Sequence, residues 1–115
     1  MKVLIIDDNE SITKMLAKWL SSKNHECTVS NDGKNGLEMI RKNKFDKILL
    51  DLSMPEFSGF DVVDKLDNDG ILNDQHIILF TASASSDSDI EKLINKGVKG
   101  CLRKPVDLNL LLKTV

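Results

Sequence analysis

Five short strand-like runs alternate strictly with stretches of helical periodicity along this 115-residue chain. The clearest run is Lys47-Ile48-Leu49-Leu50-Asp51, three apolar residues leading straight into an acid and then into Ser53-Met54-Pro55 and Gly59. A brief unbroken apolar run bounded by turn signals reads as a strand buried on both faces of a parallel sheet. Lys2 to Asp7 repeats the pattern, Ile77 to Phe80 ends at Thr81, and Val98 to Leu102 is followed by Arg103-Lys104-Pro105. Glu26 to Ser30 alternates in polarity, as a strand with one apolar face does. Strand–helix alternation of this kind predicts a parallel sheet with helices on both faces. Right-handed crossovers then bring every strand's carboxyl end to one edge, where open α/β sheets place their ligand crevice. Asp7, Asp51, Thr81 and Lys104 close four of the runs and are expected to meet there.

The helices are set by their stripes and their caps. Asn9, Glu10 and Ser11 supply start chemistry. Ile12, Met15, Leu16, Trp19 and Leu20 then fall at i, i+3, i+4, i+7 and i+8 and are expected to face the core. Asn31-Asp32-Gly33 marks a turn before a helix with Gly36, Leu37 and Ile40 inward. A third helix runs from Phe60 through Val62, Val63 and Leu66 and dissolves in Asp67-Asn68-Asp69-Gly70. Ser85, Ser86, Asp87 and Ser88 are candidate caps for a fourth, which carries Ile90, Leu93 and Ile94 and stops at Gly97. The last begins near Asp107, with Leu108, Leu111, Leu112 and Val115 inward.

Composition narrows the function classes. Lys+Arg 16 against Asp+Glu 18 leaves a net charge of -2, which gives no general footprint for nucleic acid or an anionic membrane. The length predicts one domain, residues 1–115, with a core of its own. The first apolar run is too short for a signal peptide and Asp7-Asp8 cuts it off, so a cytoplasmic setting is expected. Cys27 and Cys101 form no CxxC and read as small buried hydrophobes rather than zinc ligands or a disulfide. His25 and His76 have no metal-ligand spacing and read as a solvated turn residue and a strand-edge residue.

The predicted edge therefore holds Asp7, Asp8, Asp51, the Thr81 hydroxyl and the Lys104 ammonium. Asp51 alone could simply cap the turn before Pro55. Clustered carboxylates, however, repel and need protons or a cation. A hard divalent ion suits such all-oxygen ligands, Mg²⁺ in particular. A carboxylate beside that ion can act as a nucleophile toward phosphorus, with Lys104 and Thr81 addressing the equatorial oxygens. Pro105 restricts Lys104 to extended geometry, against the reading of a freely solvated lysine.

From Met1 to Val115 the chain resembles a response-regulator receiver domain of two-component signalling. The resemblance lies in Asp7-Asp8, Asp51 with Pro55 and Gly59, Thr81-Ala82, and Lys104-Pro105, each after the appropriate strand. It implies a flavodoxin-like (βα)5 fold, a doubly wound five-stranded parallel sheet of order 2-1-3-4-5. It also implies that Asp51 accepts a phosphoryl group from a sensor histidine kinase or a histidine phosphotransfer protein. Asp7, Asp8, Asp51 and the backbone carbonyl of Ser53 would then hold Mg²⁺ or Mn²⁺. Thr81 and Lys104 would bind the phosphoryl group, the Lys104–Pro105 bond would be cis, and a downstream effector protein or output domain would read the result. The domain would catalyse only its own phosphorylation and dephosphorylation.

Two positions bear on the consequences. Receivers commonly have Tyr or Phe three residues before the lysine, and here that position is Cys101. A smaller, mainly backbone response to phosphorylation is expected. Ser53 and Ser83, two residues past Asp51 and Thr81, are small and predict a short-lived phosphoryl group. Among alternatives, an aspartate-nucleophile phosphatase would want an acid where Ser53 stands. A nucleotide or flavin module would want glycine, not Asp8-Asn9-Glu10, after the first strand. A pseudo-receiver would usually have lost part of the acidic set. The kinase, the output and the oligomeric state are not written in the sequence, nor is whether the domain stands alone.

Overall fold

The elements form where the apolar runs and stripes place them: β1 (Lys2–Ile6), α1 (Glu10–Ser22), β2 (Glu26–Ser30), α2 (Gly33–Lys42) and β3 (Lys47–Leu50). They continue as α3 (Gly59–Asn68), β4 (Ile77–Thr81), α4 (Asp87–Lys96), β5 (Gly100–Arg103) and α5 (Leu108–Thr114). This computed structural model describes residues 1–82, 86–105 and 107–114. All four strand pairings are parallel, and the sheet order is β2-β1-β3-β4-β5. The expected doubly wound architecture and strand order are therefore what the chain adopts.

Successive strand residues point to opposite faces, and the core divides accordingly. Leu4, Ile6, Ile48, Leu50, Ile77 and Leu79 pack under Leu37 and Ile40 of α2, Val62, Val63 and Leu66 of α3, and Ile90 and Leu93 of α4. Val3, Ile5, Leu49, Ile78 and Phe80 pack on the other face against Leu16 and Leu20 of α1 and Leu111 of α5. Burial of apolar surface on both faces, at roughly 25 cal/mol per Å², is the main stabilising term.

Helix starts use short polar side chains to satisfy otherwise unpaired N–H groups. The Asn9 side chain accepts from the N–H groups of Ser11 and Ile12, Asp32 from Asn35, and Ser86 from Asp89. Ser58 and Asp61 form a reciprocal capping box at α3. Gly97 ends α4 with φ 139°, a backbone geometry that suits glycine.

Several inward assignments require correction. Met15 and Ile94 are 47% and 43% exposed, each at the rim of a stripe whose buried positions are taken by Thr13, Leu16 and Leu20 in α1 and by Ile90 and Leu93 in α4. Thr13 is buried instead, its hydroxyl donating to the Glu10 carbonyl. Leu112 of the short α5 is exposed, since Leu111 takes the place against the sheet. β5 begins at Gly100 rather than Val98, although Lys99 already donates to the Ile77 carbonyl. His25 is half-buried rather than solvated, with Nδ1 enclosed and unpaired among the described residues. A 3-10 turn at Leu72–Asp74, not anticipated from periodicity, buries Leu72 beneath the sheet. Ser83, Ser85 and Val115 lie outside the described residues.

Candidate functional site

Ile6 and Leu50 are register partners, so the residues that follow them, Asp7 and Asp51, emerge side by side from the two central strands. The ladder continues one step, with the Asp51 N–H donating to the Ile6 carbonyl at 2.9 Å. Asp7 is fully buried and Asp51 is 2% exposed, whereas Asp8 stands at the mouth in solvent. One oxygen from each of these three carboxylates can be chosen so that all lie within 4.8 Å of one another.

Lys104 enters from the far side of β4. Its N–H donates to the Thr81 carbonyl at 2.7 Å, and the bond to Pro105 is cis. Its ammonium lies 2.8 Å from Asp7 Oδ2 and 3.6 Å from Asp51 Oδ1. Thr81 is buried at the end of β4, in register with Arg103. The sequence-predicted residues Asp7, Asp8, Asp51, Thr81 and Lys104 thus share one edge. Ser53 is also close, its N–H donating to Asp51 Oδ1 at 3.2 Å.

Backbone packing holds Asp51 from behind. A Cβ added to Gly59 would come within 2.4 Å of the Asp51 carbonyl oxygen and 2.8 Å of Leu52 Cα, so only glycine permits this approach. Between them, Phe57 N–H donates to the Pro55 carbonyl across Glu56 at φ 64°, a tight three-residue turn.

Crowding shows in the electrostatics. Burial, then the Asp7 carboxylate, and to a smaller degree Asp8, push the Asp51 carboxyl up to about 6. The Lys104 ammonium and the Ser53 N–H act in the opposite direction. Three carboxylates face one ammonium, so the edge retains excess negative charge when Asp51 ionises. An all-oxygen set of this spacing fits a hard divalent cation.

Two neighbours escaped the sequence reading. Asn31 donates from Nδ2 to the Asp7 carbonyl at 2.9 Å and to Thr13 Oγ1 at 3.0 Å, tying the acidic loop to β2 and α1. Its position in a turn signal concealed this. Phe80 lies under Lys104, with the ammonium 5.0 Å from the ring centroid. Inside an apolar run it reads only as core. Cys101, at the usual aromatic position, is half-buried against the face of the core that α2, α3 and α4 cover.

A doubly wound sheet whose carboxyl edge gathers paired acids, a strand-end Asp, a Thr and a Lys before cis-proline has the architecture of a receiver. The sequence profile described as response regulator receiver domain matches residues 3–115, and the chain belongs to that family of two-component signalling domains. It is 30% identical over its whole length to a sensor histidine kinase, RcsC of Salmonella typhimurium, of which it spans 12%. It is also 30% identical to Protein PilH of Pseudomonas aeruginosa, covering 99% of this chain and 93% of that one. Among solved structures, the chemotaxis protein CheY4 of Vibrio cholerae superposes with a TM-score of 0.86 at 30% identity, covering 98% of this chain and 93% of the other. Among the described residues, no helix is long and apolar enough to cross a membrane.

Proposed function

We propose that Asp51 is the phosphoacceptor of this receiver, charged by a histidine kinase or histidine phosphotransfer protein in the cytoplasm. The observation that carries the reading is the placing of the Lys104 ammonium between Asp7 and Asp51, beside an acidic trio within 4.8 Å. An Asp51 oxygen attacks phosphorus as the bond to the donor's imidazole nitrogen breaks, and the electron pair leaves with the imidazole. Lys104 moves from Asp7 toward a phosphoryl oxygen, and the Thr81 hydroxyl donates to another. Asp7, Asp8, Asp51 and the Ser53 carbonyl would hold Mg²⁺ or Mn²⁺, which when bound neutralises charge on the transferring group.

Hydrolysis of the same acyl phosphate returns the domain to its starting state, so the chain is catalyst and substrate of its own cycle rather than an enzyme for other molecules. Ser53 is small and exposed beside Asp51, leaving a path for water. The phosphorylated form is expected to be short-lived in Mg²⁺ buffer, and persistence for hours would contradict this. With Cys101 in place of an aromatic side chain, the signal to an effector protein or output domain is a modest backbone shift around α4 and β5. Amide shifts recorded with and without an acyl-phosphate mimic check this, and changes spreading across α5 would oppose it.

The test of the central reading is intact mass after incubation with acetyl phosphate and Mg²⁺. The parent gains one phosphoryl group and Asp51→Asn gains none. A parent that gains no mass removes the reading.

A further inference from the structure

Lysine has a flexible four-carbon stem and a strongly hydrated ammonium, so its default is to swing into water. At this edge it does not, and its two carboxylate partners are only part of the reason. Phe80 precedes Thr81 in β4 and points to the opposite face, where it is 2% exposed and packed among Ile5, Leu16 and Leu102. A ring so enclosed cannot follow the lysine, so it acts as a fixed floor. The ammonium sits 5.0 Å above the ring centroid, 2.8 Å from Asp7 Oδ2 and 3.6 Å from Asp51 Oδ1. Phe80 and Lys104 also line one cleft of about 310 Å³ with Ile12, Met15 and Pro105, so the stem lies along apolar surface.

We propose that Phe80 is a positioning residue for phosphoryl transfer, its ring holding the Lys104 ammonium over the site while that ammonium passes from Asp7 to the phosphoryl group. The role rests on the receiver reading above. Hydrogen bonds to Asp7 and to a phosphoryl oxygen are directional and cannot both be ideal during the exchange. Attraction to the face of an aromatic ring is broad, tolerates sliding, and is stronger where water is excluded. The ring therefore keeps the ammonium inside the site through the interval when its carboxylate bond is loosening. A leucine is smaller but still apolar, so it keeps part of the core packing while offering no such attraction.

Two measurements test this. In the parent, ring current shifts the Lys104 ε-methylene protons upfield, Phe80→Tyr keeps the shift, and Phe80→Leu returns them to the values of a solvated lysine. Phosphorylation by acetyl phosphate with Mg²⁺, measured well below each melting temperature, slows about tenfold in Phe80→Leu and is restored in Phe80→Tyr. In a Lys104→Met background, Phe80→Leu leaves the residual rate unchanged. A full rate in Phe80→Leu removes the role of Phe80 alone, as does an equal loss with and without the lysine, which would mark a purely structural effect. A parent that takes no phosphoryl group removes the receiver reading and this role with it, whatever the proton shifts report.

Discussion

The two ends of the sheet both crowd like charges together, and they resolve the crowding differently. At the amino end, Lys47 opens β3 and His76 immediately precedes β4, with Lys47 Nζ 2.9 Å from His76 Nε2. Burial first, then Lys47 and Lys99, push the His76 imidazole below its usual range. His76 escapes by shedding a proton, and the neutral ring then accepts from the ammonium. At the carboxyl end Asp51 is driven the other way, to about 6, yet above that pH it still ionises beside Asp7 and Asp8. At the amino end the crowding is relieved on the imidazole itself. The carboxyl end keeps excess negative charge when Asp51 ionises, and its all-oxygen set has the spacing that fits a hard divalent cation.

Four measurements would break or sharpen that contrast. The largest effect is expected from Gly59→Ala, whose new Cβ meets the Asp51 carbonyl and Leu52 Cα head-on. A loss of about 3 kcal/mol by chemical denaturation is expected, and a negligible loss would mean the edge is not held from behind. Asp51→Asn comes next, with a gain of roughly 1–3 kcal/mol near pH 7.5 in chelating buffer. The folded chain keeps the Asp51 proton to about 6, against 3.8 for a free carboxyl, so the ionised acid costs stability as pH rises through that window. The advantage of Asn therefore shrinks as pH falls below 6. A gain independent of pH would show that the charge is not its source.

Glu56→Gly is expected to add about 0.5 kcal/mol, as the left-handed cost of Glu56 outweighs the backbone entropy of glycine. No change in the denaturation midpoint would place that turn outside the energetics of the edge. The smallest effect is at the other end. Lys47→Met should raise the His76 pKa only part of the way to its ordinary value, because burial is the larger cause and stays. Ring-proton titration by NMR reads it. Stability that depends on neutral His76 is present at higher pH and is lost as pH falls through its pKa, less steeply in Lys47→Met.

Much of this was legible because strand polarity and strand ends are written in the sequence. A run such as Ile48-Leu49-Leu50 must be buried on both faces, and the residue after it must lie at the sheet's carboxyl edge. That logic placed Asp7, Asp51, Thr81 and Lys104 together without coordinates. It could not say how far a helical stripe wraps, and Met15, Ile94 and Leu112 were misassigned for that reason. Nor could it choose between neighbours of one residue type. Nothing in Ile77-Ile78-Leu79-Phe80 distinguishes a ring beneath an ammonium from one buried among leucines. Asn31 reads as a turn former until its amide is seen bridging Asp7 and Thr13.

The contact between Lys104 and Asp7 joins residues 97 positions apart. Contacts of such long sequence separation form late in folding, after the intervening loops have been closed. During synthesis the first acids emerge many residues before the lysine that answers them, and domains fold as units once enough chain is out. A nascent or partly unfolded chain thus has the carboxylates without the lysine that lies between them, and the site is assembled only with the completed sheet.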